Sequence, residues 1–245
     1  MWDRPDVLDR CADLLVTAAV LLALYGAVHF VVHLPLFPLR EVRVASALAH
    51  VTSEDIEGMM KREVTGNFFT LDLAATRAAF EKLPWIRKVE VRRHWPAGLE
   101  VTLEEHAPLA RWGNRALVNT HGEVFEAAYT GELPVFVGPA ESAKEIAIQY
   151  EYFRRSLAAI GKTPVQVLLS PRRAWEVRLD GGPTLELGRE RIEARLARFV
   201  AAYSRTLGRL ERRIDYVDLR YANGFAVRIS ELRFEKTEPQ RRRSP

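Results

Sequence analysis

The sequence predicts an α+β fold in which one membrane-spanning helix precedes two blocks of strands and helices. Three observations predict it. The 26 residues 14–39 contain no Asp, Glu, Lys or Arg. The next block has strand and helix periodicities in the order strand-helix-helix-strand-strand, and the remainder has many short alternating runs and two amphipathic helices. The composition, 48% hydrophobic and 28% charged residues, is that of a folded protein.

The apolar run predicts an uncleaved anchor. A helix of about 20 apolar residues crosses a bilayer, so residues 11–33 are predicted to be transmembrane, after a short tail of residues 1–10. The alternative, a cleaved signal peptide, needs a basic start, a core of about 7–15 residues and a small-residue cleavage site. The first ten residues instead carry three aspartates against two arginines. Two arginines precede the helix and two follow it, so the count of positive charges does not determine its orientation.

Residues 36–105 are predicted to form the first domain. Its first strand lies in LREVRVAS, where valines alternate with charged residues. Thr52 and Asp55 have the spacing of a capping box at the start of a helix, and Asp72 is the expected N-cap of a second helix. Two alternating runs then flank a Pro-Ala-Gly turn. This order of elements predicts one sheet covered by one helical layer.

Residues 106–232 are predicted to form a mixed, β-rich domain. Short alternating runs are separated by turn signals, among them a hairpin signal at residues 180–182. ESAKEIAIQYEYFRRSLAAIG and RERIEARLARFVAAYSRTL each have the apolar face of a helix, and in the second the glutamates and arginines lie opposite. Residues 233–245 are predicted to be a disordered basic tail, because three consecutive arginines, 241–243, stand there between prolines.

The last regular pattern, YVDLRYANGFAVRI (216–229), alternates apolar and polar residues on both sides of an Asn-Gly pair. A three-residue loop, 222–224, would place all the apolar side chains on one face of a hairpin, with Gly224 in the left-handed conformation. A two-residue turn would send the two runs to opposite faces, and one long strand bent at Gly224 is a third interpretation. In each case the chain ends on an edge strand, which is a liability or a docking site. The three-residue loop predicts the pairs Tyr221–Phe225, Leu219–Val227 and Val217–Ile229.

The sequence contains no motif for catalysis, a cofactor or a metal. It has no Gly-rich phosphate loop and no G-x-S-x-G, its six histidines lack ligand spacing, and Cys11 is its only cysteine. Glu104, Glu105 and His106 suggest an acid/base cluster, but neighbours on a strand point to opposite faces, so solvated side chains are the favoured interpretation. The net charge of +4 comes without a nucleic-acid-binding module. The sequence therefore predicts a protein that is not an enzyme and binds neither nucleic acid nor a small-molecule substrate.

Nearly the whole chain resembles one protein family. The apolar helix is followed by FPLREVRV, LPWIRKVEVRRHWPAGLEVTLEEHAPLARW, LVNTHGEVF, LPVFVGP, LLSPRRAWEVRL and YVDLRYANGFAVRI. On these motifs the sequence is similar to the FtsQ/DivIB family of bacterial cell-division proteins. Residues 83–112 and the final stretch are the specific part of the resemblance.

The resemblance implies a single-pass type II protein of the cell inner membrane, at the division septum. Residues 36–105 would form a POTRA domain, and residues 106–232 a periplasmic β domain. The implied function is a scaffold without catalysis, which forms a ternary complex with FtsB and FtsL, links early and late division proteins and helps to control septal peptidoglycan synthesis. Further expected partners are FtsK, FtsW and FtsI.

The resemblance also implies a binding site for FtsB, which would add a strand to the last strand of the β domain. Tyr221 is the implied aromatic anchor, beside Asn223 and Gly224. Arg172 of SPRRAW is the implied charged contact, although an Arg-Arg pair before a strand is by default solvated. Relatives often have Trp near Ile229, so the distal end of the site is expected to differ here. The strand itself contributes Phe225, Val227 and Ile229.

Two other functions stay open as alternatives. A POTRA-type envelope chaperone would be expected to have repeated POTRA units or a following barrel, whereas the sequence has one such unit. A membrane-anchored cell-wall enzyme would be expected to have a clustered nucleophile or metal site, and no such motif occurs in the sequence.

Overall fold

The computed structural model describes residues 5–34, 38–39, 41–44, 48–63, 65–209 and 214–229. These divide into two compact units, Met1–His106 and Ala107–Pro245. The predicted fold class is confirmed, since an apolar helix precedes a small α+β unit and then a β-rich unit with two α-helices. The predicted basic tail, 233–245, lies outside the described residues.

The N-terminal helix, α1 (Pro5–His33), is apolar and long enough to cross a membrane. Its candidate span, Asp9–His33, has a mean hydropathy of 2.3 and is not buried inside the protein. A helix leaves its last carbonyls without partners inside the helix. Here the side-chain amide of Asn67 supplies two donors, since its Nδ2 lies 2.7 Å from the Val32 carbonyl and 3.2 Å from the Leu34 carbonyl.

The rest of the first unit has the predicted order of elements. The strands are β1 (Glu41–Val44), β2 (Ile86–His94) and β3 (Gly98–Glu105), and the helices are α2 (Ser53–Glu63) and α3 (Leu73–Phe80). The sheet order is β1-β3-β2, with β1 parallel and β2 antiparallel to β3.

Both predicted N-caps are confirmed. The Asp55 amide donates to the Thr52 hydroxyl (3.2 Å), and the Asp55 carboxylate accepts from the Thr52 amide (3.1 Å). The Asp72 carboxylate accepts from the amides of Ala74 and Ala75. These bonds satisfy donors that every helix leaves free at its N-terminus, so α2 and α3 begin where the sequence specifies.

Glu105 is not the solvated side chain that the sequence suggested. Its carboxylate accepts hydrogen bonds from the backbone amides of Ala49 (2.9 Å), His50 (3.0 Å) and Val51 (2.8 Å). Burial raises the pKa of Glu105, but these hydrogen bonds together outweigh it, and the pKa is lowered. The end of β3 thereby holds the segment that leads into α2.

The side chains of Asn67 and Arg93 hold residues 67–71, here called the Asn67 loop. The Asn67 side-chain oxygen accepts from the amides of Phe69 (2.9 Å) and Thr70 (3.0 Å). Arg93, near the end of β2, donates to the carbonyls of Phe68 (2.8 Å) and Leu71 (2.7 Å). Because both ends of the loop are bonded to side chains, its irregular backbone is satisfied without a strand partner.

Over its described residues, 107–209 and 214–229, the second unit has a nine-stranded mixed sheet in the order β12-β11-β10-β9-β8-β7-β4-β5-β6. Two α-helices, α4 (Ala143–Ala158) and α5 (Ile192–Tyr203), interrupt the strands. The hairpin predicted at residues 180–182 joins β9 to β10, with Gly181 in the left-handed region. The strands are β4 (Pro108–Trp112), β5 (Ala116–Asn119), β6 (Val124–Phe125), β7 (Val135–Val137), β8 (Pro164–Leu169), β9 (Trp175–Leu179), β10 (Thr184–Gly188), β11 (Ile214–Asp218) and β12 (Ala226–Ile229).

One row of apolar residues crosses this sheet and defines its core face. Partners in register share a face of a sheet, and successive pairs connect strands β7, β8, β9, β10, β11 and β12 in turn. The row packs in one cluster with the buried residues Phe153 of α4 and Phe199 of α5. Its inner members are fully buried, and its last member is half-buried. The row is Phe136, Val167, Val177, Leu185, Val217 and Val227.

The predicted registers of the terminal stretch are wrong. β11 and β12 do form an antiparallel pair, but Val217 lies opposite Val227, so the connection spans seven residues, 219–225. Gly224 is not among the glycines in the left-handed region. The physical reason is that arginines of α5 hold residues 219–222 outside the ladder between β11 and β12, as described below. The shared face of Val217 and Val227, which alternation predicts, is present.

Candidate partner-binding site

The candidate site lies at the end of the nine-stranded sheet formed by β12. Within the part of the chain that the structure describes, β12 pairs with β11 only. Val227 and Ile229 are half-buried, whereas Ala226 and Arg228 are exposed. A strand in this position has one row of backbone amides and carbonyls directed away from its own sheet.

Tyr221 is displayed in the connection between β11 and β12, and its side chain is 59% exposed. Its backbone is irregular, yet all four carbonyls of residues 219–222, here called the Tyr221 segment, accept hydrogen bonds from α5. Arg198 donates to Ala222 (2.5 Å), Tyr221 (2.8 Å) and Leu219 (3.1 Å). Arg195 donates to Arg220 (3.3 Å). The aromatic ring is therefore exposed on a backbone that is fixed by four side-chain contacts.

The Tyr221 segment is also fixed at the end of β11. The Arg220 guanidinium forms a two-pronged pair with Asp218, with distances of 2.9 Å and 2.7 Å, and the Arg220 amide donates to the same carboxylate. These bonds from Arg220 hold the pKa of Asp218 below its usual range. The Leu219 amide meanwhile donates to the Glu186 carbonyl of β10 (2.9 Å). Asp218 thus remains an anion that orients the residue directly before Tyr221.

The other implied site residues of the terminal stretch divide into inward and outward positions. Phe225 packs on Phe199 of α5, with ring centroids 6.4 Å apart, and is part of the core rim. Val227 points to the same helix-covered face. Asn223 is exposed and Gly224 is half-buried. The half-buried side chains of Phe225 and Val227 therefore support the edge from the helix-covered face of the sheet.

Arg172 lies in an open cleft of about 450 Å³ that also contains Arg220. The structure thus brings the implied charged contact close to the residue before Tyr221, although 48 positions separate them in the sequence. Its neighbour Arg173 is paired instead with Glu145 of α4, and Arg172 is exposed. Four arginines and two glutamates line the cleft: Arg172, Arg189, Arg195 and Arg220, with Glu186 and Glu190.

Gly188, at the end of β10, is required for this arrangement. Its φ is +72°, and a Cβ there would lie 2.9 Å from the Arg195 Nη1 atom and 3.2 Å from the Arg220 Cγ atom. The absence of a side chain lets Arg195 pass close enough to donate to the Leu187 carbonyl (2.6 Å). This glycine therefore serves both the backbone conformation and the close approach of the arginine.

Sequence reasoning missed Arg195 and Arg198. Both lie on the polar side of a helix whose apolar face is evident, and such arginines are by default solvated. Their spacing of three residues places them on one side of the helix, next to the buried Leu196 and Phe199. That position beside the core was the available signal, but the carbonyls of the Tyr221 segment that they contact are more than 20 residues away in the sequence.

No group of three or more His, Cys, Asp or Glu side chains suited to a metal ion occurs among the described residues. The implied site residues instead lie on the edge strand β12, in and directly after the Tyr221 segment, and in the basic cleft that contains Arg172. This arrangement has the elements by which proteins recognise a peptide strand, namely backbone groups for pairing and anchors for side chains.

Comparison with known proteins agrees with this architecture. Residues 37–106 match the family model described as POTRA domain, FtsQ-type. Together with the apolar helix and the β-rich unit, this defines the class: a membrane-anchored protein in which a POTRA domain precedes a second, β-rich domain.

Residues 110–220 match the model described as cell division protein FtsQ/DivIB, C-terminal. The chain is 49% identical over 233 residues to a protein of Nitrosospira multiformis named cell division protein FtsQ, covering 93% of this chain and 99% of the relative. Proteins of the same name from Burkholderia pseudomallei (42% identity, 96% of each chain) and Neisseria gonorrhoeae (37%, with 93% of this chain and 95% of the relative) are also similar. The chain belongs to the FtsQ/DivIB family of cell-division proteins, as the sequence motifs predict.

Proposed function

We propose that this chain is a non-enzymatic scaffold of the divisome that binds FtsB, in complex with FtsL, by accepting a strand on β12. The observation that carries the proposal is the position of β12: it ends a nine-stranded sheet and, among the described residues, has a strand partner on one side only. Strand addition draws affinity from main-chain hydrogen bonds and specificity from neighbouring side chains.

Tyr221 is the expected anchor of the bound partner. Interface hot spots are enriched in Tyr, Trp and Arg and contribute about 2 kcal/mol or more each. An exposed ring on a fixed backbone loses little freedom when it is covered, because the segment that carries it is already ordered. The four hydrogen bonds from Arg195 and Arg198 to the Tyr221 segment support this role.

The cleft beside the edge is suited to an acidic side chain of the partner. Its four arginines exceed its two glutamates, and burial raises the pKa of one of these, Glu186. Arg172 is one of the exposed arginines of the cleft, and it is the one that the family resemblance implies as a contact. A carboxylate near Arg172 and Arg220 would gain charge-assisted hydrogen bonds.

The proposal extends to the cellular setting that the family resemblance implies. Residues 11–33 anchor the chain in the inner membrane as a single-pass type II protein, and residues 36–105 and 106–232 lie in the periplasm at the septum. From there the chain links early and late division proteins, with FtsK, FtsW and FtsI as further partners, and helps to control septal peptidoglycan synthesis.

Titration of the full-length chain in lipid nanodiscs with the FtsB–FtsL complex tests the proposal. Tyr221→Ala is expected to weaken binding by about 30-fold, the equivalent of about 2 kcal/mol. Ile148→Ala is the matched control, since Ile148 is another large apolar residue of the same unit and is 65% exposed on α4. Equal affinity of the parent and Tyr221→Ala would refute the anchor, and absence of binding by the folded parent would refute the proposed partner.

A further inference from the structure

Two exposed aromatic side chains lie together in the first unit. Phe69 is 42% exposed and Trp95 is 70% exposed. Both rings contact the buried Phe68, with centroid distances of 5.2 Å to Phe69 and 5.9 Å to Trp95. Single exposed apolar residues are ordinary on a protein surface, but two large aromatic rings around one buried ring form a patch.

This aromatic patch, Phe69 and Trp95, is adjacent to the end of α1. Asn67, which precedes Phe68, donates to the carbonyls of Val32 and Leu34 at that end. Asn67 is buried and also accepts the amide hydrogen bond of Phe69. One side chain thus connects the final turn of the apolar helix directly to the loop that carries Phe69.

The patch cannot swing away from the helix end without breaking several hydrogen bonds. Arg93 donates to the carbonyls of Phe68 and Leu71, and its position on β2 is two residues before Trp95. The strand that leads to Trp95 is therefore bonded to the loop that carries Phe69, and that loop is bonded to the end of α1. The rings have a fixed distance from the helix end.

The helix end defines the level of the membrane surface. The span Asp9–His33 has 25 residues, which at about 1.5 Å per residue is about 37 Å, slightly more than the hydrocarbon core of about 30 Å. Its final carbonyls consequently lie near the boundary between acyl chains and headgroups. Trp is enriched at this level, because its indole ring has an apolar body and a polar N–H, and Phe is common on the lipid-facing side of helices that lie in the interface.

We propose that Phe69 and Trp95 insert into the headgroup boundary of the bilayer that α1 spans, so that the POTRA domain rests on the lipid surface beside its own anchor. This proposal is independent of partner binding at β12. The hydrogen bonds to α1 favour lipid over a protein as the occupant, because they place the rings beside the point where the chain leaves the membrane. A protein partner on this patch is the competing outcome of the test.

Quenching of tryptophan emission by brominated lipids tests the contact. The full-length chain carrying Trp2→Phe is reconstituted into phosphatidylcholine–phosphatidylglycerol vesicles with bromine on the acyl chains close to the headgroups. Part of the emission is expected to be quenched. Trp95→Phe, which keeps an aromatic ring against Phe68, is expected to remove at least half of the quenched emission, and Phe69→Ser is expected to weaken it while Trp95 remains as the probe.

The chain offers a matched control in Trp85. Trp85 and Trp95 flank the two ends of β2, which is nine residues long, and at about 3.3 Å per residue they lie about 30 Å apart. Trp85→Phe should therefore leave the intensity of the quenched emission unchanged, although it lowers the total emission.

Three results would overturn the proposal. Emission that bromine does not quench would leave the patch to a protein partner. Quenching that survives Trp95→Phe would come from another tryptophan. Quenching that Trp85→Phe lowers as much as Trp95→Phe would mean that the whole strand lies along the membrane, with no contact specific to the aromatic patch.

Discussion

The Asn67 loop and the Tyr221 segment solve the same structural problem in the two units. Each presents an exposed aromatic ring on irregular backbone, and each has its carbonyls bonded by arginine side chains: Arg93 in the first unit, Arg195 and Arg198 in the second. Such bonds satisfy the backbone carbonyls of a loop without a partner strand.

The two loops differ in what adjoins them. The Asn67 loop is bonded to the end of an apolar helix, whereas the Tyr221 segment leads into a strand with an open side among the described residues. Hydrogen bonds from arginines to loop carbonyls therefore occur beside two different surfaces. One is the aromatic patch next to the end of α1, and the other is the edge of β12. Four substitutions or conditions, described in order of decreasing effect, separate the two loops experimentally.

Phe199→Ala should have the largest effect, because it removes a fully buried ring beneath Phe225 and next to Arg198. Truncation of a buried Phe costs about 3–5 kcal/mol of unfolding free energy. The cores of the two units are separate clusters, so the loss should fall on the second unit. Native-state hydrogen exchange measures the stability of each unit separately. Amides of β9 and β10 should lose protection, whereas those of β2 and β3 should keep it. Equal losses in both units would show that they unfold together.

Arg198→Ala should weaken FtsB–FtsL binding about tenfold, because three carbonyls of the Tyr221 segment lose their donor. The ring would then have to be ordered during binding, at a cost of about 0.5–1.5 kcal/mol. Arg93→Ala, which releases the Asn67 loop instead, should leave this affinity unchanged.

The readout that distinguishes positioning from general destabilisation is coupling with Tyr221. In a Tyr221→Ala background, Arg198→Ala should have little further effect, because the side chain that it orients is absent. Additive losses in the double variant would contradict the positioning role of Arg198.

Gly188→Ala should weaken partner binding a few-fold, and Gly113→Ala is its control. Both glycines have positive φ, +72° and +59°, so both substitutions carry a similar backbone strain of about 1–2 kcal/mol. A Cβ at Gly188 would meet Arg195, whereas a Cβ at Gly113 would meet nothing within 4 Å. Similar thermal stabilities with different affinities would isolate the contact with Arg195, and equal affinities would show that this arginine does not matter for binding.

Acidification should give the smallest effect, and it should affect one loop only. The folded-state pKa of Asp218 is lowered, so its contribution to stability is complete above the unfolded pKa of about 3.9 and is lost as the pH falls through the folded value. The side chains that bond the Asn67 loop, those of Asn67, Thr70 and Arg93, do not titrate in this range.

Urea unfolding of the second unit between pH 6 and pH 2.5 measures the Asp218 contribution. The parent should lose stability on acidification, and Asp218→Asn should lose less, because its side chain cannot be protonated. Identical pH profiles would show that the pair between Asp218 and Arg220 contributes nothing to stability.

Much of this architecture follows from local sequence signals. Hydrophobic periodicity predicts the helices and most strands, and the caps at Thr52 and Asp72 are local because donor and acceptor are two or three residues apart. The glycine turn between β9 and β10 is local in the same way. Such features depend on a few neighbouring residues, so the sequence specifies them directly.

The errors concern interactions between distant residues. The register of β11 and β12 depends on Arg198, which bonds residues 21 to 24 positions later. Glu105 likewise bonds amides more than 50 positions earlier. In both cases a charged side chain that patterning assigns to solvent is used to satisfy backbone groups of another segment, and alternation alone contains no information about that segment.

The hydrogen bonds from α5 to the carbonyls of residues 219–222 have a consequence for the alignment of an added strand. Because these oxygens already accept hydrogen bonds from α5, they are less available to amides of an added chain than the carbonyls of β12. We therefore expect a strand added to β12 to begin pairing after residue 222. A shift of that strand by two residues toward β11 would leave some of its amides without an acceptor. The α5 arginines would in this way determine the register of the added strand.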